Sequence, residues 1–185
     1  MPQVHLISAG LNPPEEINVI IEVPAGGAAV KYEMHKRSGA ILVDRILHTP
    51  MRYPTNYGYM PHTLSEDGDP CDVMVVVDEP LVPGCVIRAR PVGVLLMEDE
   101  AGGDEKILAV PDTKTDPTYK NVKSYEDLPE ILIQRIQHFF EHYKDLESGK
   151  WVKVTGWEGP EKAKAMILDG IKRAEQEEAE EEANA

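Results

Sequence analysis

The sequence predicts a mainly-β fold with two flanking α-helices, built as one domain. Three observations carry that prediction. Short apolar or alternating runs recur between turn residues through the first two thirds of the chain. The periodicity then becomes helical twice, at 127–144 and 159–176, on either side of one more strand-like run. The length of 185 residues suits one core and is short for two.

Taken in order, residues 1–16 read as an irregular arm ending in NPPEE, and INVIIEV (17–23) as a buried strand. In VKYEMHK (30–36), Val30, Tyr32 and Met34 face one side, and Lys31, Glu33 and His35 the other. RSG turns the chain into ILVDRIL (41–47), so this stretch reads as a hairpin. Pro50, Pro54, Gly58 and Pro61 mark 48–66 as loop. Strands return at 73–77, 85–96 and 107–110, broken by EDEAGGDEK (98–106). This density of short strands suggests a small barrel or sandwich. In DLPEILIQRIQHFFEHYK (127–144), Pro129 lies near the first turn, and positions 132, 136, 139, 140 and 143 form one apolar helical face. KWVKVTGW (150–157) is the last strand, and GPEKAKAMILDGIKRAEQ (159–176) the second helix. The acidic end, 175–185, is expected to be frayed or disordered. No repeat or linker is visible, so 1–185 reads as a single domain.

The formal net charge is −14, and six of the 33 acids lie in the last 11 residues. Without them the body still carries 27 acids against 19 bases. Nucleic acid and anionic membranes need basic surface, so neither is an expected partner. A small anion that arrives with metal ions is compatible with that charge. Cys71 and Cys85 read as free buried thiols of a reducing compartment. MPQVHLISAGLNPPEE lacks a basic start and an apolar core, and no run approaches the ~18 apolar residues of a membrane span. A soluble, cytoplasmic protein is expected.

The chemistry concentrates in three acidic clusters at strand ends. The first is Glu22, with Lys31 and Glu33 nearby. The second is Asp67, Asp69 and Asp72 in EDGDPCDVMVVV. The third is Asp99, Glu100 and Asp104, followed by Lys106. Clustered carboxylates in a cleft require positive charge among them. Dense hard oxygen donors suit Mg²⁺, Mn²⁺ or Ca²⁺. An EF-hand is excluded: counting from Asp67, the sixth position is Asp72 rather than Gly, and the seventh to eleventh, VMVVV, are strand. Lys31, Arg45, Lys106 and Lys144, with Tyr57 and Tyr143, would supply donors to phosphate oxygens. That set is the equipment of phosphoryl transfer to water. HFFEH (138–142) matches a zinc pattern, H-x-x-E-H. No clear third ligand follows it, and Glu141 lies opposite the apolar stripe. Ile131, His138 and His142 instead form a second stripe, which favours a subunit interface over zinc.

These residues closely resemble the family I soluble inorganic pyrophosphatases. EDGDPCDVMVV is similar to that family's Asp-x-Asp-Pro-x-Asp signature. VKYEMHKRSGAILVDR, YPTNYGYMPHTL, RPVGVLLMEDEAGGDEKILAV and the HFFEHYKDLE to GW region are similar in the same order, from about 17 to 157. Cys71 departs from the family's larger aliphatic residue, which is a packing change. The resemblance implies a closed five-stranded OB-like barrel, Mg²⁺-dependent hydrolysis of pyrophosphate to two phosphates with Mn²⁺ as a substitute, and a bacterial-type homohexamer. It assigns metal ligation to Asp67, Asp72, Asp104, Asp99 and Glu22. It assigns the general base to Asp69 and phosphate contacts to Lys31, Arg45, Tyr57, Lys106, Tyr143 and Lys144. Glu33 and Tyr53 are supporting cleft residues, and His138 and His142 match subunit contacts.

Two rivals differ from this expectation. A nucleotide hydrolase with the same metals would need a base pocket or nucleotide loop, and none is visible. A non-enzymatic OB-type module would need a basic, aromatic-rich groove, whereas this acidic chain has two Trp and two Phe.

Overall fold

The computed structural model describes residues 4–183. The strands are β1 (Ile17–Val23), β2 (Val30–His35), β3 (Ala40–Ile46), β4 (Asn56–Tyr59), β5 (Asp72–Val75), β6 (Val86–Asp99), β7 (Gly102–Gly103) and β8 (Lys106–Pro111), followed by α1 (Glu130–His142), β9 (Val152–Glu158) and α2 (Pro160–Ala183). This is the mainly-β chain with two helices that the sequence predicts.

The ladders run β1–β4–β5–β8–β6, and β6 pairs again with β1, so the path returns to its first strand. All are antiparallel except β5–β8. β6 is long because it serves four partners: β1, β8, β9 and β7. Register shifts at Pro91/Gly93 and Leu96/Met97 bend it from one partner to the next. β2 and β3 form a separate two-stranded sheet, the expected hairpin.

Alternation along the strands sorts side chains into two cores. Met74 joins Leu108, Phe139, Phe140 and Tyr143 in the cluster beneath α1. Its neighbours Val73 and Val75 join Ile21, Val94, Ala163 and Ile167 in the cluster beneath α2. Each helix therefore buries its apolar stripe on a different side of the same strands. Among the described residues, no helix is long and apolar enough to cross a membrane. Cys71 is buried, Cys85 is half-buried, and both are free.

Several boundaries differ from the sequence reading: β6 runs on to Asp99 and β7 forms inside the 98–106 break, and three larger differences follow. β4 lies inside 48–66, which the prolines and glycine marked as loop. Gly58 is there because β1 passes very close: a Cβ would stand 1.9 Å from the Ile20 carbonyl oxygen. Gly58→Ala should therefore cost about 3 kcal/mol or more and lower the thermal midpoint by well over 5 °C, roughly, in calorimetry. α1 begins at Glu130 rather than 127, because Tyr125–Asp127 is a separate 3₁₀ turn capped by Ser124. α2 continues to Ala183 across most of the tail expected to fray. Its Ala and Glu residues are good helix formers. Buried Ala174 and the Arg173 Nε bond to the Leu64 carbonyl, 2.8 Å, fasten it. Residues 1–3 of the arm and 184–185 of the tail lie outside the described residues.

Candidate active site

The acidic loop between β4 and β5 is a built turn. Gly68 takes a φ of +86°, which costs a glycine nothing. Its neighbours close around it: Ser65 N–H donates to the Asp69 carbonyl at 2.7 Å, and Asp69 N–H donates to Asp67 Oδ1 at 3.0 Å. Leu64 N–H donates to the Gly170 carbonyl at 2.9 Å, which ties the loop stem to α2. Asp67 and Asp69 are thus held at the rim, and Asp72 opens the buried strand β5.

The other elements aim at the same place. Glu22 lies near the end of β1, and its Oε1 accepts the Met34 N–H at 2.7 Å. Asp99 ends β6, and Asp104 and Lys106 return on the far side of that turn. Lys31 and Arg45 are register partners across the hairpin. Tyr143 and Lys144 follow the last turn of α1. Together these bound a cavity of about 300 Å³. All fourteen residues expected from the sequence line it: Asp69; Lys31, Arg45, Tyr57, Lys106, Tyr143 and Lys144; Glu33 and Tyr53; Asp67, Asp72, Asp99, Asp104 and Glu22. Glu100 of the third acidic cluster also lines it, as do Lys36, Tyr59 and Lys150, to which the sequence reading gave no role. His138 and His142 do not.

The electrostatics have a clear order. Lys106 is nearly fully buried, and its ammonium bridges Asp72 and Asp104 at 2.5 Å each. Burial opposes its charge, but the two carboxylates outweigh burial and hold it firmly protonated. Asp104 is still pushed above the usual carboxylate range, by burial and by the nearby Asp72 and Asp99 charges, against the pull of Lys106. Lys144 meets Asp99 at 2.8 Å. Burial works against Asp99 as an anion, yet the Lys144 and Ala101 N–H bonds bring it below its ordinary value. Among the described residues, no ammonium lies within ion-pairing distance of Glu22, and Lys31 acts on it only from farther away. Burial first, then Asp72 and Glu33, raise its carboxyl to about 7 despite the Met34 bond. Eight carboxylates face six cations across the cleft.

The floor is aromatic. Tyr53 contacts Tyr57 and Phe139 with ring centroids 5.1 and 4.6 Å apart. Burial pushes Tyr53, Tyr57 and Tyr143 up, so they stand as neutral hydroxyl donors. Lys106 lies 5.8 Å from the Tyr57 ring and Lys144 5.6 Å from the Tyr143 ring. Arg45 Nη1 pairs with Glu147 at 2.9 Å, while its Nε is buried without a hydrogen-bond partner. Lys36 reaches Asp69 at 3.7 Å, and Lys150 holds Glu100 at 2.5 Å.

Fold and cleft together define a hard-cation and oxyanion site: oxygen donors in excess, buried ammoniums among them, and tyrosine hydroxyls on the floor. Comparison with known proteins narrows this. The sequence model of the inorganic pyrophosphatase family matches residues 19–175. An inorganic pyrophosphatase of Bradyrhizobium diazoefficiens is 63% identical over 171 residues, covering 92% of this chain and 96% of that protein. That of Mesorhizobium japonicum is 61% identical, covering 93% and 97%. Among solved structures, an inorganic phosphatase of Anaplasma phagocytophilum superposes with a TM-score of 0.90 at 50% identity, covering 91% of this chain and 99% of that one. An inorganic pyrophosphatase of Thermus thermophilus gives 0.88 at 44%, covering 94% and 99%. The chain belongs to the inorganic pyrophosphatase family, a family of hydrolases.

Proposed function

We propose that this chain hydrolyses inorganic pyrophosphate to two orthophosphates with divalent ions, Mg²⁺ first and Mn²⁺ as a substitute. The carrying observation is the convergence of all three acidic clusters, with buried Lys106 and Lys144, on one cavity. The donor set fits hard divalent ions. Asp67, Asp72 and Asp104 would hold the tightest of them, and Asp99 and Glu22 the others. The charge excess and the Glu22 carboxyl raised to about 7 mark a cluster that needs further positive charge. Bound ions supply Lewis-acid neutralisation of phosphate charge and lower the pKa of a coordinated water.

The chain's own groups do the rest. Asp69 stands at the rim with a largely exposed carboxylate, free to accept a proton from the attacking water. The hairpin cations Lys31 and Arg45 take one end of the substrate, and Arg45 is itself oriented by Glu147 at 2.9 Å and Asp44 at 3.6 Å. Lys106, Lys144, Tyr57 and Tyr143 take the other end and offset the charge that develops on the leaving phosphate. Glu33 and Tyr53 hold neighbouring groups in place. No covalent intermediate is invoked, and burial keeps the Cys71 thiol protonated.

We also read the returning ladder path as the closed five-stranded OB-like barrel, and the working assembly as a cytoplasmic homohexamer. The exposed apolar residues Leu42, Val43 and Ile46 of β3 and Ile131 of α1 support an assembly of copies. Phosphate release from pyrophosphate and from ATP, compared under Mg²⁺, tests the substrate reading. Pyrophosphate should be preferred by orders of magnitude. Equal rates would point to the nucleotide-hydrolase reading instead.

A further inference from the structure

A second cavity of about 300 Å³ lies behind the wall of the cleft, and no residue lines both. Strand alternation divides them. On β8, Lys106 lines the cleft, and Ile107 lines the cavity behind it. In the acidic loop, Asp67, Asp69 and Asp72 line the cleft, whereas Ser65, Glu66 and Cys71 line the second cavity. The facing wall is α2. Lys162, Met166, Asp169 and Arg173, at steps of four, three and four residues, share one face of that helix. No lining residue belongs to β3 or α1, the elements whose exposed apolar residues support an assembly of copies.

The second cavity has an apolar floor and a charged rim. Met97 and Ile107 are buried there, and Leu96 and Met166 are half-buried. Four carboxylates, Glu66, Glu98, Glu105 and Asp169, stand around them against two cations, Lys162 and Arg173. Among the described residues, none of the four carboxylates makes a side-chain hydrogen bond or an ion pair. Asp169 and Arg173 are one helical turn apart, yet Arg173 Nε donates instead to the Leu64 carbonyl at 2.8 Å. The two cations start roughly 16 Å apart along the helix. With Arg173 tied to Leu64, they do not close on one small anion. The rim thus carries an excess of two negative charges over an apolar floor.

We propose that this cavity binds a linear aliphatic diamine. Each ammonium brings three donors and a charge to carboxylates that lack both. The methylenes between the two ammoniums cover the Met97, Ile107 and Met166 surface. The volume falls at the lower end of small-molecule sites, which suits a short chain. A hard metal ion would satisfy the carboxylates but gain nothing from the floor.

The test is calorimetric titration of diaminopentane into the purified full-length protein, with millimolar Mg²⁺ present to occupy the cleft. The expected result is one diamine per chain. Asp169→Asn should weaken binding by about 10-fold, as loss of a charge-assisted hydrogen bond does. Met166→Trp should abolish it by filling the floor, and Lys162→Ala should tighten it by removing a competing cation. Glu181→Gln, which changes an exposed acid of α2 outside the cavity, should leave it unchanged. Pentanediol, with the same chain and no charge, should bind at least ~10-fold more weakly. Retained circular dichroism spectra show that the variants are folded. No binding by wild type, or equal binding by wild type, Asp169→Asn and Met166→Trp, overturns the proposal. So does a loss in Glu181→Gln as large as that in Asp169→Asn, which would mark general attraction to an acidic surface.

Discussion

Asp69→Asn should lower pyrophosphate turnover by at least ~100-fold while leaving metal binding largely intact. The expectation follows from where the loop puts this carboxylate. Asp67 and Asp72 flank it, and Asp69 is pinned through its backbone at both ends: its N–H on Asp67 Oδ1 and its carbonyl on Ser65 N–H. The side chain is left 78% exposed and uncommitted except for Lys36 at 3.7 Å. A group so placed can accept a proton without giving up a structural bond. The amide keeps the size and the backbone turn but cannot take the proton. The loss should therefore fall on kcat, with the Mg²⁺ concentration dependence little changed. Near-normal turnover would remove Asp69 from the role of base. A large rise in the Mg²⁺ requirement would make it a ligand instead.

Glu22→Gln should stabilise the metal-free protein at alkaline pH while weakening its metal-dependent activity. Glu22 is 7% exposed, and its folded carboxyl is raised to about 7 from an ordinary value of 4.5. The unfolded chain gives up this proton more readily than the folded one. Folding stability therefore falls as pH rises through that window, and the penalty is complete above it. Linkage puts its upper bound at about 3 kcal/mol. Glutamine retains an oxygen for the Met34 N–H and carries no charge. In EDTA at pH 8 the variant should unfold at higher denaturant than wild type, and at pH 4 the advantage should vanish. Added Mg²⁺ should reverse the order at pH 8, because ligands that bind only the folded state stabilise it. Equal shifts at both pH values would refute the electrostatic account. The strain of an unpaired buried carboxylate is then the cost of a site prepared for cations.

How far the sequence carried this reading differs by element. β1 was legible as a short apolar run, and the β2–β3 hairpin through the clean alternation of β2 and the RSG turn that follows it. β4 was hidden, since Gly58 signals a turn in one dimension and a close backbone approach in three. The far end of α2 was misread because charge density was weighed above the helix propensity of Ala and Glu. Most of the cleft residues lie at a strand end or in a connecting loop with a recognisable spacing, which made them legible; Glu33 and Tyr57 lie within β2 and β4. Lys36, Tyr59 and Lys150 were not. An exposed lysine on a loop has no pattern of its own, and only the folded chain brings Lys36 to Asp69 and Lys150 to Glu100.

The central claim is that the carboxylates of this cleft serve bound metal, and the metal serves pyrophosphate. The most direct test is phosphate release from pyrophosphate by the purified protein in millimolar Mg²⁺, repeated in excess EDTA and then restored with Mg²⁺. The account predicts rapid release, its loss on chelation, and full recovery when Mg²⁺ returns. Release that continues undiminished in EDTA, or no release with any divalent metal, would contradict it.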